Sequence, residues 1–340
     1  MKVLVAGGAG YIGSHMVQVL LDAGHEPITV DSLETGYRDA VLGGQFVQAD
    51  IGDGAALDAV FAAQPIDAVM HFASYIQVGE SVAAPGKYYR NNFANTLTLL
   101  DAMVRAGVRR CVFSSTAAIF GEPEYVPVDE RHPQRPMNPY GASKQMVERA
   151  LRDYESAYGL RAVCLRYFNA AGAHPNGRLG VRREPVTHLI PLLLQVASGR
   201  RAYVSVFGRD YDTPDGTCIR DYIHVLDLCQ AHLLALTWLV EGGESVAFNL
   251  GNGAGFSVLA VIDVVEKVTG KSVAVRDAPR RDGDPARLVA DSGLIRRQLG
   301  WSPRHSELET IVADAWAFEQ TLAASAPRFA THARGSSLRE

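Results

Sequence analysis

Tyr140 and Lys144 stand four residues apart in "NPYGASKQMVER", where the apolar residues Ala142, Met146, Val147 and Ala150 recur with a helical period. At i,i+4 the two side chains share one helical face. A free tyrosine has a pKa near 10, so action as a base at neutral pH needs a downward shift of roughly 3 units. A lysine ammonium one turn away carries the charge to favour that shift. With 13 tyrosines and 5 lysines, such a pair arises by chance about 0.2 times in a chain of this length, so the rest of the sequence must decide.

A second chemistry-bearing stretch is "VLVAGGAGYIGSH", which places Gly7, Gly8, Gly10 and Gly13 between a strand and a helix. Glycine permits the tight turn and lets the backbone approach a pyrophosphate, and the helix N-terminus offers free N–H groups. Asp31 follows at the end of the second strand, spaced to bond adenosine ribose hydroxyls. A carboxylate there repels a 2′-phosphate, so NAD is expected rather than NADP. Asp50 and Ile51 follow the third strand and are placed to flank an adenine. An ordinary loop carboxylate or helix cap is the alternative for Asp50.

The elements that position these residues alternate in type. Strands are predicted at Val3–Ala6, Pro27–Val30, Gln45–Gln48, Ala68–His71, Arg110–Ser114 and Ala162–Arg166. Helices are predicted near Ile12–Ala23, Ala55–Ala62, Tyr88–Ala106 and Tyr140–Tyr158. That alternation predicts an α/β fold, a parallel sheet with right-handed crossovers and helices on both faces. After Asn169, "AAGAHPNGRLGVRREP" has the Gly, Pro and Arg content of a binding loop, and a helix near Val186–Ser198 follows. Ala323–Glu340 lacks a hydrophobic period and reads as a loose tail.

Bulk composition excludes several classes. The net charge of −4 and the shortness of Arg182-Arg183 and Arg280-Arg281 argue against nucleic-acid binding, although such pairs suit a smaller anion. Cys111, Cys164, Cys218 and Cys229 are scattered with no Cys-x-x-Cys, and the ten histidines form no metal-like cluster, so no metal site is expected. The opening "MKVLVAGG" lacks the pattern of a secretory signal, and no apolar run is long enough for a membrane span. A cytoplasmic location is expected.

The motifs "GGAGYIGSH", "HFAS…VGES", "YYRNN", "FSSTAAIFG", "NPYGASK", "LRYFNAAGAHP", "RDYIHVLDL", "FNLGNG" and "APRRDGD" stand in this order. Together they closely resemble the UDP-glucose 4-epimerase family of extended short-chain dehydrogenase/reductases, from Met1 to about residue 318. The resemblance implies a Rossmann-type doubly wound sheet carrying NAD, with a smaller α/β unit for a UDP-sugar. It assigns residues 1–169 and part of 217–250 to the first unit, and 170–216 and 251–322 to the second. It implies that Tyr140 takes the proton of the sugar 4-hydroxyl as hydride passes from C4 to NAD. The 4-keto sugar then turns and takes the hydride back on its other face. Thr116 falls where the family has a Ser or Thr bonded to the reacting oxygen.

Further positions are implied in the same way. Tyr11, Ile12, Phe72, Ala73, Asn92 and Tyr167 match cofactor-side positions, beside Gly7, Gly10, Gly13, Asp31, Asp50 and Ile51. Asn169, Arg220 and Arg281 match contacts to the substrate diphosphate, Asp284 a nucleotide-ribose contact, and Phe207 a uracil-side aromatic. His188 and Leu189 match substrate-lining positions. A homodimer built on two long helices is expected by resemblance.

Two departures stand out. Ile76 occupies a position where many members carry a cofactor-contacting lysine, which Gln77 could replace. Leu288 stands where narrow sugar pockets have tyrosine, leaving room for a 2-acetamido group. UDP-pentose and UDP-uronate epimerases share the reaction centre and stay open as alternatives. Dehydratases of this fold carry an acidic pair after the catalytic Ser/Thr, whereas Ala117-Ala118 follows Thr116 here. A non-catalytic NAD-sensing regulator would be free to lose Tyr140, Lys144 or Thr116, and all three are present. The motifs after residue 165 disfavour an ordinary alcohol dehydrogenase.

Overall fold

A computed structural model describes residues 1–281 and 283–325. Six strands alternate with helices in its first half: β1 (Lys2–Ala6), β2 (Glu26–Asp31), β3 (Gln45–Gln48), β4 (Ala68–His71), β5 (Arg110–Thr116) and β6 (Arg161–Tyr167). They form one parallel sheet in the order 6-5-4-1-2-3, and the later strand Val246–Leu250 pairs with the outer side of β6. This is the Rossmann strand order, whose ligand crevice lies at the switch point between β1 and β4.

Burial on both faces explains why these strands read as continuous apolar runs. Val3 and Val5 enter one core with the helices Tyr11–Asp22 and Val225–Val240, while Leu4 and Ala6 enter the opposite core with Gly54–Ala63 and Asn95–Arg105. A third core joins the helices Leu189–Ala197, Val258–Thr269 and Leu308–Ser325. Around it lie short sheets: Val204–Phe207 with Val275–Ala278, and Ile219–Arg220 between Phe256–Ser257 and Arg287–Leu288.

The predicted helix Tyr88–Ala106 is interrupted. Six residues, Tyr89–Ala94, form a wider π-type turn before the α-helix Asn95–Arg105 begins. The Asn92 amide donates to Tyr75 O at 3.0 Å and Ser143 Oγ at 3.2 Å, drawing that turn inward. Positions 323–325 of the expected tail belong instead to the helix begun at Leu308, which runs through Ser325. The remainder of that tail, 326–340, lies outside the described residues.

Candidate active site

The helix Pro139–Tyr158 sets the reactive pair. Asn138 caps it, its side chain accepting from Gly141 N at 2.9 Å, with Pro139 in the first turn and Gly159 closing it in a left-handed conformation. Tyr140, Ser143, Lys144, Val147, Glu148 and Leu151 form its buried stripe. Gly141 allows the close approach: a Cβ there would lie 2.4 Å from Ala118 O, just past the end of β5. The helix thus lies against the segment that carries Thr116.

Lys144 is 2% exposed; its ammonium donates to Ser114 O at 2.8 Å and lies 4.8 Å from the Phe113 ring centroid. Burial lowers its pKa to about 7, against the opposing field of Glu148. Burial raises the pKa of Tyr140, while hydrogen bonding with Thr116 and the charge of Arg183 act to lower it.

Beneath this pair lies a charged layer that motif reading missed. Glu148 accepts from Arg166 at 3.0 and 2.6 Å and from Ser115 Oγ at 2.5 Å, with both ion-pair partners almost fully buried. Its position one turn after Lys144 on the same stripe was the available signal. Ser114 Oγ and Tyr167 OH also form a hydrogen bond, and burial raises the Tyr167 phenol.

A cleft of about 1250 Å³ opens at the carboxyl ends of β1 and β4, large enough for a dinucleotide beside a nucleotide sugar. Every residue expected at the site lines it except Asn92, whose amide is buried in the π-type turn contacts beneath. On the β1 side the glycine turn is a tight cradle. A Cβ at Gly7 would lie 2.5 Å from Ala73 N, and one at Gly13 would lie 2.1 Å from Gly7 O. Asp31 accepts from Ala9 N and Leu33 N, each at 2.9 Å, which holds the turn and the loop after β2 together. Asp50 accepts from Gly52 N at 2.7 Å. These residues fit NAD: a backbone cradle at a helix start, with a carboxylate at the next strand end.

The opposite wall is made of long cations on aromatic faces. The Arg281 guanidinium lies 3.9 Å from the Phe207 ring centroid, and both residues line the cleft. Arg220 pairs with Asp284 and donates to Ile219 O at 2.7 Å. Asn169 donates to Asp221 O at 3.0 Å. His188 precedes Leu189 at the start of a helix; burial lowers its pKa to about 4, and its Nδ1 has no partner. Leu288 packs with Phe168 on the small core of Ala117, Ile119, Phe120 and Val128. Arg183 also lines the cleft, a position that the sequence offered only as part of a loop pair. Ile76 and Gln77 line it too. Among the described residues, no group of His, Cys, Asp or Glu side chains could hold a metal ion, and no helix is long and apolar enough to cross a membrane.

Fold and site together define an α/β enzyme that binds a nicotinamide dinucleotide, with a second wall that carries arginines. Residues 3–251 match the NAD dependent epimerase/dehydratase family. UDP-glucose 4-epimerase of Azospirillum brasilense is 53% identical over 322 residues, covering 94% of this chain and 92% of that protein. The crystal structure of UDP-glucose 4-epimerase from Brucella ovis in complex with NAD superposes with a TM-score of 0.92 at 47% identity, covering 94% of this chain and 98% of that one. The UDP-Glc/GlcNAc 4-epimerase of Campylobacter jejuni superposes with a TM-score of 0.83 at 44% identity, covering 94% and 99%. The chain belongs to the NAD dependent epimerase/dehydratase family, and within it to the UDP-glucose 4-epimerase group.

Proposed function

We propose that this chain interconverts UDP-glucose and UDP-galactose through a transient 4-keto sugar, with Tyr140 as the base. The observation that carries the reading is the convergence of Tyr140, Thr116 and Lys144 in one cleft with a glycine cradle on one wall and paired arginines on the other. Bound NAD supplies the hydride acceptor and a positive charge on its nicotinamide ring. Gly7, Gly10 and Gly13 would hold its pyrophosphate and Asp31 its ribose, with Tyr11, Ile12, Asp50, Ile51, Phe72 and Ala73 completing that wall.

Tyr140 takes the proton from the sugar 4-hydroxyl, Thr116 hydrogen-bonds the same oxygen, and the Ser114 carbonyl keeps Lys144 at the reacting end. Because burial alone raises the phenol, the base form needs further positive charge when the cleft fills. Arg220 and Arg281 bind the diphosphate with Asn169, while Asp284 and Phe207 face the uridine. Leu288 lines the cleft and packs beside Phe168, and a leucine there in place of a bulkier tyrosine favours activity on UDP-GlcNAc or UDP-GalNAc as a second reading.

The two-unit division of the chain, the cytoplasmic setting and the homodimer belong to the same proposal. Met146 and Tyr158 are exposed along the helix Pro139–Tyr158, the surface expected to meet a second copy. Incubation with UDP-galactose and no added cofactor, followed by chromatography, tests the activity. Appearance of UDP-glucose is expected; no product even with added NAD would overturn the reading. Analytical ultracentrifugation tests the dimer.

A further inference from the structure

Segment 180–183 comes from the substrate side of the cleft and meets the loop that follows β2. Arg182 makes the contact. Its guanidinium donates to Asp39 Oδ2 at 2.9 Å and lies 4.0 Å from the Tyr37 ring centroid. The hydrogen bond from Arg182 holds the Asp39 carboxyl below its usual range. The loop under this contact is fixed to the cofactor wall: Tyr37 N donates to Ala9 O at 3.0 Å, and a Cβ at Gly36 would lie 2.9 Å from Asp31 Oδ1. Tyr37 and Arg182 both line the cleft. The contact therefore spans from the wall that carries Asp31 to the opposite side, at the end where the adenosine ribose belongs.

We propose that Arg182 is a cofactor-retention residue: with Asp39 and Tyr37 it forms a latch over the adenosine end of the NAD groove and slows NAD release. The proposal rests on NAD binding at the glycine turn. Arg182 and Asp39 are 33% and 68% exposed, so the pair adds little to folding. Its effect on release differs, because NAD leaving at this end must wait for the ion pair and the ring stack to open together. The ion-pair part weakens with salt, since both charges are near water.

The test is the release rate of NAD from the purified holoprotein, with freed NAD scavenged by alcohol dehydrogenase and ethanol and followed as NADH. Arg182→Ala and Asp39→Asn are each expected to release NAD roughly three- to tenfold faster. The double variant is expected to be no faster than Arg182→Ala, and the swap Arg182→Asp with Asp39→Arg to recover part of the loss. Release from both single variants within about twofold of the wild-type rate would overturn the latch. A wild-type protein that neither retains nor takes up NAD would overturn the cofactor reading and the latch with it.

Discussion

The two walls of the cleft solve recognition with different materials. On the cofactor wall, contact is left to backbone: glycines pressed against other main-chain atoms, and Asp31 spent on two loop N–H groups. On the substrate wall, contact is made by long side chains, Arg220 on Asp284 and Arg281 over Phe207, carried by sheets of only two or three strands. A backbone cradle has no rotamers with which to adapt, so a change there is felt fully. A guanidinium on a flexible stem can be lost in steps and exchanged for other shapes.

Mutations can break or sharpen this contrast. At the seam between the walls, Tyr140→Phe is expected to lower kcat roughly 10²- to 10⁴-fold while NAD still binds, measured by product formation beside cofactor titration. Gly13→Ala places a methyl on Gly7 O, and NAD affinity is expected to fall roughly ten- to 100-fold by calorimetry; wild-type affinity would show that the cradle gives. Arg281→Ala is expected to raise KM roughly tenfold with kcat nearly unchanged, since a bond made equally in ground and transition states is lost. Leu288→Tyr is expected to move the activity ratio toward plain over N-acetylated sugars by roughly tenfold, and an unchanged ratio would remove Leu288 from the pocket.

The smallest effect lies in pH dependence of stability. Burial lowers His15, His188 and His232 to about 4 and His71 to about 3. An unfolded histidine binds its proton near 6.5, so between that pH and about 4 the unfolded chain holds more protons and is favoured. Melting of the cofactor-free protein should fall steadily as pH drops from 6.5 toward 4, below the separate slope that buried Lys144, lowered to about 7, adds above neutrality. A flat profile across that window would mean that these rings are open to protons when folded.

Most of the large sheet was legible because its strands are buried on both faces and punctuated by turns: β3 and β4 have the predicted bounds, and the other four extend by one or two residues. The glycine turn was legible because spacing along one strand–turn–helix unit sets it, and Tyr140 and Lys144 because they lie one turn apart on one helix, whereas Thr116 was reached only through the family resemblance. Asn92 was legible as a special residue but not in its placement, since the π-type turn depends on side-chain bonds to Tyr75 and Ser143, far away in sequence. The Glu148–Arg166 pair and the Arg182–Asp39 contact were hidden for a similar reason. Each joins residues from different elements, and no local pattern reports on a tertiary ion pair.

The seventh strand carries a consequence for how the chain is made. Val246 pairs with Val163, so β6 waits for a strand synthesised after the whole 170–245 stretch. Until then its outer N–H and C=O groups are an open edge, the kind of surface on which nascent chains associate. A chain halted before residue 246 already holds Tyr140, Lys144 and the glycine turn, yet it lacks the closing strand. Possession of every catalytic group would not make such a fragment a soluble enzyme.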